Sequence, residues 1–237
     1  MSMISKEKKP ERVYNPYVAE IVTGQSNRII STKEESRGFR FDCWEVVFQL
    51  PNGKETTHHV TLSQASAEIL TLYRQDGKWC FIFGRQARSP YMMEIDGKLY
   101  SKLFFEQAAG LLEEGQDFVQ AAIAETSQEF GVTLSYLGVL ISKVCRHVSY
   151  SDETSIVFLA VADSIGKQRL DKYENIEVVI IPVDETREEF EAYLDGGKDS
   201  FFGFDIPEMT QLSLSKFFWK LDTGKLDLDH LQNNLLK

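Results

Sequence analysis

Glu125 and Glu129 lie four residues apart in EQAAGLLEEGQDFVQAAIAETSQEFGV, residues 106–132, a segment with the punctuation of a loop feeding a helix. Gly110 and Gly115 bracket the loop, and the spacing predicts a helix that starts near Gln116 or Asp117 and stops before Gly131. At roughly 100° per residue, that helix turns Val119, Ile123, Thr126 and Phe130 to one face and Gln116, Gln120, Ala124, Ser127 and Gln128 to the broad opposite side. Glu125 and Glu129 share a third face with Phe118 and Ala122, so both carboxylates leave one otherwise apolar flank. Like charges at this spacing repel by about 0.2–0.5 kcal/mol on an isolated helix, and by more when desolvated. The pair therefore asks for a cation. A hard divalent ion such as Mg²⁺ takes oxygen ligands and is held by one or two carboxylates plus substrate phosphates, which fits this pair beside a glycine loop. A solvated acidic face is the other reading of the same residues.

Other charged residues stand at useful places. Arg85 and Arg88 leave the hydrophobic run KWCFIFGRQAR together, ahead of the loop. They are either solvated loop arginines or partners of an anion such as a diphosphate, a task suited to a planar, permanently charged fork. The polar stretch VCRHVSYSDET, residues 144–154, contains His147 and sets Asp152 and Glu153 immediately before an apolar strand. A carboxylate in such a loop can orient or deprotonate an attacking water. His58 and His59 are adjacent on a predicted strand, where neighbours point to opposite faces and do not readily share one ion. Cys43, Cys80 and Cys145 are odd in number, widely spaced and without zinc-ligand spacing, as expected of reduced thiols in a cytoplasmic protein.

The segment resembles the Nudix box, G-x5-E-x7-R-E-U-x-E-E-x-G-U with U aliphatic, with Gly110, Glu125, Glu129, Gly131 and Val132 in register. Gln116 stands where the family has Glu, Ala124 where it has Arg, Thr126 where it has an aliphatic residue, and Gln128 where it has the first Glu of the final pair. In the family the missing Glu and Arg are read as a structural ion pair, and losing both leaves no orphan charge. Gln128 is the more serious departure, because it removes a possible metal carboxylate. The resemblance implies that Mg²⁺, or Mn²⁺ in its place, is held by Glu125, Glu129 and the backbone carbonyl of Ala109, with Gln128 completing the metal-side set. It implies a substrate-side set of Arg85, favoured as the clamp, with Arg88 and Glu106, the last matching a carboxylate found close to the metals. It also implies a catalytic carboxylate in the loop 144–154, Glu153 ahead of Asp152, with His147 third.

The activity implied is Mg²⁺-dependent hydrolysis of the diphosphate bond of a nucleoside diphosphate sugar such as ADP-ribose, giving a nucleoside monophosphate and a sugar phosphate. A homodimer, formed with the help of an N-terminal sheet segment, follows from the same resemblance. The alternative is a Nudix-fold module that binds or senses a nucleotide without turning it over, which the replaced box positions favour. The two surviving carboxylates, and the absence of a winged-helix pattern after the domain, weigh against it.

The elements that must position these residues are legible in the patterning. FDCWEVVFQL and KETTHHVTL flank Asn52-Gly53, and AEILTLYRQ and KWCFIFGRQAR flank Asp76-Gly77, giving two predicted hairpins. Between the second hairpin and the glycine loop, Tyr91, Tyr100, Phe104 and Phe105 are read as packing residues. Strands are predicted over 134–142, 155–163 and in NIEVVIIPVDE, then helices in TREEFEAYLDGG and MTQLSLSKFFWKLDTG. The expected organisation is an N-terminal extension over 1–38 with a mobile basic tail at 1–12, a domain over 39–222 and a C-terminal tail over 223–237. The expected class is α/β (α+β): by resemblance a Nudix-type α/β/α sandwich with a mixed sheet, preceded by an antiparallel sheet segment.

With 26 basic and 36 acidic residues among 237, the net charge of −10 argues against general nucleic-acid binding. No apolar run approaches the ~18 residues of a membrane span, and MSMISKEKKPER has no apolar core of a signal peptide. The partner expected is a small nucleoside diphosphate derivative.

Overall fold

A computed structural model describes residues 28–37, 41–50, 52–146, 151, 153–172 and 174–231. The predicted tail at 1–12, His147 and Asp152 lie outside the described residues. In chain order the elements are β1 (Arg28–Arg37), β2 (Phe41–Gln49), β3 (Glu55–Ser63), β4 (Ser66–Gln75), β5 (Lys78–Ile95), β6 (Lys98–Glu106), β7 (Ala108–Leu111), α1 (Phe118–Glu129), β8 (Val132–Cys145), β9 (Thr154–Ile165), β10 (Ile176–Pro182), α2 (Val183–Leu194), α3 (Glu208–Asp222) and the single turn α4 (Leu228–Leu231). They form two compact units, one taking the described residues up to Ser66 with Leu111–Asp117 and Lys143–Ser155, the other Ala67–Gly110, Phe118–Ser142 and the described residues from Ile156 onward.

The first unit contains a three-stranded antiparallel sheet in the order β1-β2-β3. Asn52-Gly53 closes β2 on β3, with Gly53 at φ +82° and the Gly53 N–H donating to Leu50 O at 2.9 Å, as the turn chemistry predicts. β1 has no counterpart in the sequence reading. Its residues, RIISTKEESR, are mostly polar, and its pairing with β2 is made by backbone groups that leave no hydrophobic period. His58 and His59 occupy successive positions of β3, opposite Val46 and Glu45, and His59 Nδ1 lies 2.9 Å from Glu35 Oε2.

The second unit is organised on a sheet of order β10-β5-β4-β9-β8, with β6 added to β5 and β7 to β4. β5 explains how both faces are filled. Phe81 and Phe83 point one way and pack with Phe217 and Phe218 of α3, and with Phe105 and Phe201; the Phe81–Phe217 centroids are 4.9 Å apart. Gly84 belongs to the other face, where an added Cβ would come within 3.2 Å of the Phe130 ring at the end of α1 and 2.8 Å of Ile176. Helices thus cover both faces, because successive strand residues alternate. The mixed α/β architecture and the small antiparallel sheet agree with the expected class.

Two local expectations need correction. The segment after Arg88 is not a connection: β5 runs on to Ile95 and folds back as β6 through Asp96-Gly97, both at positive φ (50° and 74°). Phe104 and Phe105 are buried as read, but Tyr100 is 48% exposed on this hairpin, and the Tyr91 side chain lies outside the described residues. On α1, Val119 and Ile123 are exposed, whereas Ala121, Ala122, Thr126 and Glu129 are buried, so the carboxylate flank faces inward. β10 ends at Pro182, and Val183, Asp184 and Glu185 open α2 instead of ending the strand.

Candidate active site

β7 delivers Ala109 and Gly110 beside α1. Gly110 is not in a positive-φ conformation, so its lack of a side chain concerns space: a Cβ there would overlap the Glu125 carboxylate. One turn further along the helix, Glu129 is 7% exposed, and its Oε2 accepts the Ala109 N–H at 3.2 Å. Burial, and then the charge of Glu125, push the Glu129 carboxyl well above the usual carboxylate range; Glu174 adds to this, while the Ala109 N–H and Arg88 oppose it. Thr126, which stands where the resembled pattern has an aliphatic residue, is fully buried. Its hydroxyl donates back to Ala122 O at 2.8 Å, so the substitution leaves no unpaired buried polar group.

Arg88 is tied to Glu106. Its Nε donates to Oε1 at 2.7 Å and Oε2 at 2.9 Å, and Nη2 also reaches Oε2. This bond, countered in part by burial, raises the guanidinium pKa above its ordinary value, and the charges of Glu106, Glu129 and Glu68 raise it further. Arg85 has the opposite strand parity. Its guanidinium donates to Glu177 and lies 5.2 Å from the centroid of the Phe204 ring, on the face of β5 that carries Phe81 and Phe83. The structure therefore gathers Arg88, Glu106, Ala109, Glu125 and Glu129, and sets Arg85 on the other face of the sheet.

Gln116, which stands in place of a box Glu, accepts the Glu113 N–H through Oε1 at 3.1 Å. Its amide closes the glycine loop on itself without an ion pair. Glu153 belongs to the first unit, where Arg146 Nη1 donates to its Oε1 at 2.9 Å and Ser66 Oγ donates at 3.4 Å. Gln128 lies in the last turn of α1, its backbone carbonyl accepting the Arg169 N–H at 2.9 Å.

Sequence reasoning missed Glu174. It lies in the irregular segment between β9 and β10, where no periodicity marks it, and only the fold brings its charge to bear on Glu129. Glu68 was missed as well. It sits on β4 among buried residues, accepts the Gln107 side-chain amide at 2.9 Å, and is 4% exposed.

Among the described residues, no group of three or more His, Cys, Asp or Glu is assembled to hold a metal. The donor set nevertheless fits a hard divalent ion of the kind that takes one or two carboxylates and fills its shell with phosphate oxygens and water. Glu125 and Glu129 supply that pair, one turn apart on α1, with Glu125 against the bare backbone of Gly110. The fit is to a two-carboxylate site rather than to an all-protein cage.

No family model matches the sequence, and no curated protein matches it. Solved structures do: a crystal structure of an ADP compounds hydrolase superposes with a TM-score of 0.61, at 18% identity, covering 85% of this chain and 98% of that one. At this identity the likeness is one of fold, and it assigns the chain a Nudix-type α/β fold.

Proposed function

We propose that the protein is a divalent-metal-dependent hydrolase of a nucleoside diphosphate sugar, ADP-ribose or a near analogue, releasing a nucleoside monophosphate and a sugar phosphate. The observation that carries this reading is the buried Glu129 beside Glu125, the latter lying against the bare backbone of Gly110. Glu125 and Glu129 would hold Mg²⁺ or Mn²⁺. Bound there, the ion would neutralise charge developing on the diphosphate and lower the pKa of a coordinated water. Arg88 holds Glu106 in place and contributes positive charge to a carboxylate-rich site. By resemblance Glu153 is the carboxylate for the water, with Glu174 a second for that role; Arg85, on the opposite face of β5 and bound to Glu177, takes no part in this reading. The chain's net charge of −10 suits a small anion recruited by local cations better than a nucleic acid. A homodimer belongs to the same reading by resemblance, and a cytoplasmic location by the spacing of the three cysteines.

The test is phosphate-coupled turnover of a panel of nucleoside diphosphate sugars and dinucleotides, with Mg²⁺ or Mn²⁺ and with chelator. Metal-dependent release from one class of compound supports the proposal. A second reading, a nucleotide-binding module without turnover, is favoured by Gln128, an amide where the resembled pattern has a carboxylate. It predicts a metal-dependent thermal shift with ADP-ribose, lost in Glu129→Gln, and no product.

A further inference from the structure

The segment between β9 and β10 closes the end of α1. Gly166 N–H donates to Gly131 O at 2.7 Å, and Arg169 N–H donates to Gln128 O at 2.9 Å. Gln168 Nε2 donates to Glu129 O at 2.6 Å and to Ile176 O at 2.9 Å. The bonds to Gln128 O and Glu129 O take up carbonyls that a helix leaves unsatisfied at its C-terminus. Gly131, at φ +69°, permits the approach, since a Cβ there would stand 2.7 Å from Gly166 O. Arg169 Nη2 also donates to Ser127 Oγ at 2.9 Å, which sets a positive charge at the negative end of the helix. Further along, the Asp171 N–H donates to Glu174 Oε2 at 3.0 Å and the Glu174 N–H donates to Asp171 O at 3.0 Å, so Glu174 is held in its own turn.

We propose that Gln168 is a positioning residue: its single amide nitrogen clamps the backbone of Glu129 to that of Ile176 and so fixes where the end of α1 holds the Glu129 carboxylate. Glu129 carries its carboxylate on the same residue whose carbonyl is clamped, and Ile176 is the first residue of β10, so the clamp ties the end of α1 to the start of a sheet strand. An amide is suited to the task because one nitrogen offers two N–H groups in a fixed plane, and both carbonyls accept. The inference rests on the reading that Glu129 holds a divalent ion.

The experiment is equilibrium Mn²⁺ binding followed by electron paramagnetic resonance, with thermal unfolding of the metal-free protein, on the full chain and on Gln168→Ala, Gln168→Asn and Arg169→Ala. Gln168→Ala is expected to weaken Mn²⁺ binding by about 10–100-fold, the range for residues that orient a ligand, while it still unfolds cooperatively. Gln168→Asn, one methylene shorter, is expected to weaken binding similarly. Arg169→Ala leaves both Gln168 bonds in place and is expected to stay within about threefold of wild type. Mn²⁺ binding by Gln168→Ala within about twofold of wild type would overturn the proposal, and so would equal losses in Gln168→Ala and Arg169→Ala. If Gln168→Ala does not fold, a folded Gln168→Asn that binds as wild type does overturns it as well. Absence of Mn²⁺ binding in wild type is a different result: it removes the metal reading, and this inference falls with it.

Discussion

Gly110→Ala separates the site from the fold. The backbone at Gly110 is not in the left-handed region, so alanine meets no conformational penalty, and its smaller unfolded-state entropy favours folding by about 0.4–1 kcal/mol. The space is another matter, because the added methyl would coincide with Oε1, Cδ and Cγ of Glu125. Oε1 and Cδ are the far end of a flexible side chain and Cγ follows by rotation about χ1, so the whole side chain swings away and the backbone stays. The net effect on stability should lie within about 1 kcal/mol of zero. The displacement needed for ordinary contact is on the order of 1 Å, and misplacement of that size around a reacting centre is worth about 100-fold in rate. Urea unfolding of the metal-free protein, Mn²⁺ titration and turnover of the best nucleotide sugar would be measured on one preparation. A folded Gly110→Ala protein that binds Mn²⁺ and turns over within about threefold of wild type would refute the placement of Glu125. A stability loss above about 3 kcal/mol would show that the backbone, not the side chain, is what collides.

Three further outcomes follow from the same geometry. The raised Glu129 pKa means that metal-free stability is fully present below the unfolded-state value near 4.5 and falls as pH rises through the folded value; Glu129→Gln should flatten this slope in thermal unfolding with chelator. Arg88→Met leaves the Glu106 carboxylate, 10% exposed, without its main cation. It should destabilise by about 1–3 kcal/mol by urea unfolding, discounted for the partly exposed Arg88, and Arg88→Met with Glu106→Gln should recover most of that loss. Glu153→Gln and Glu174→Gln should differ in pH–rate profile: the residue that handles the water loses the acidic limb along with about 100-fold or more of kcat, and the other keeps the limb.

The readable part of this chain was local. Asn52-Gly53 and Asp76-Gly77 fix their hairpins by turn chemistry, and Gly131 at φ +69° stops α1 where the spacing placed the stop. What escaped is carried by backbone or by distance in sequence. β1 is mostly polar in sequence and pairs through its main chain. Hydrophobicity alone does not pick the buried face of α1: Val119 and Ile123 are exposed, while small Ala121 and Ala122 are buried and Glu129 is drawn in with them. Arg85 and Arg88 read as a pair in sequence, but three positions along a strand reverse the face, and their partners became Glu177 and Glu106. Glu174 and Gln168 sit in an aperiodic segment, so nothing short of the fold could connect them with Glu129.

The most direct measurement is Mg²⁺-dependent hydrolysis of the best substrate by wild type, Glu125→Gln and Glu129→Gln, each shown folded by thermal unfolding. Wild-type turnover that vanishes with chelator and falls by about 100-fold or more in both variants is the predicted result. Turnover that either variant retains within about threefold, or that survives removal of all divalent metal, would contradict the assignment of the α1 carboxylates as the seat of the chemistry.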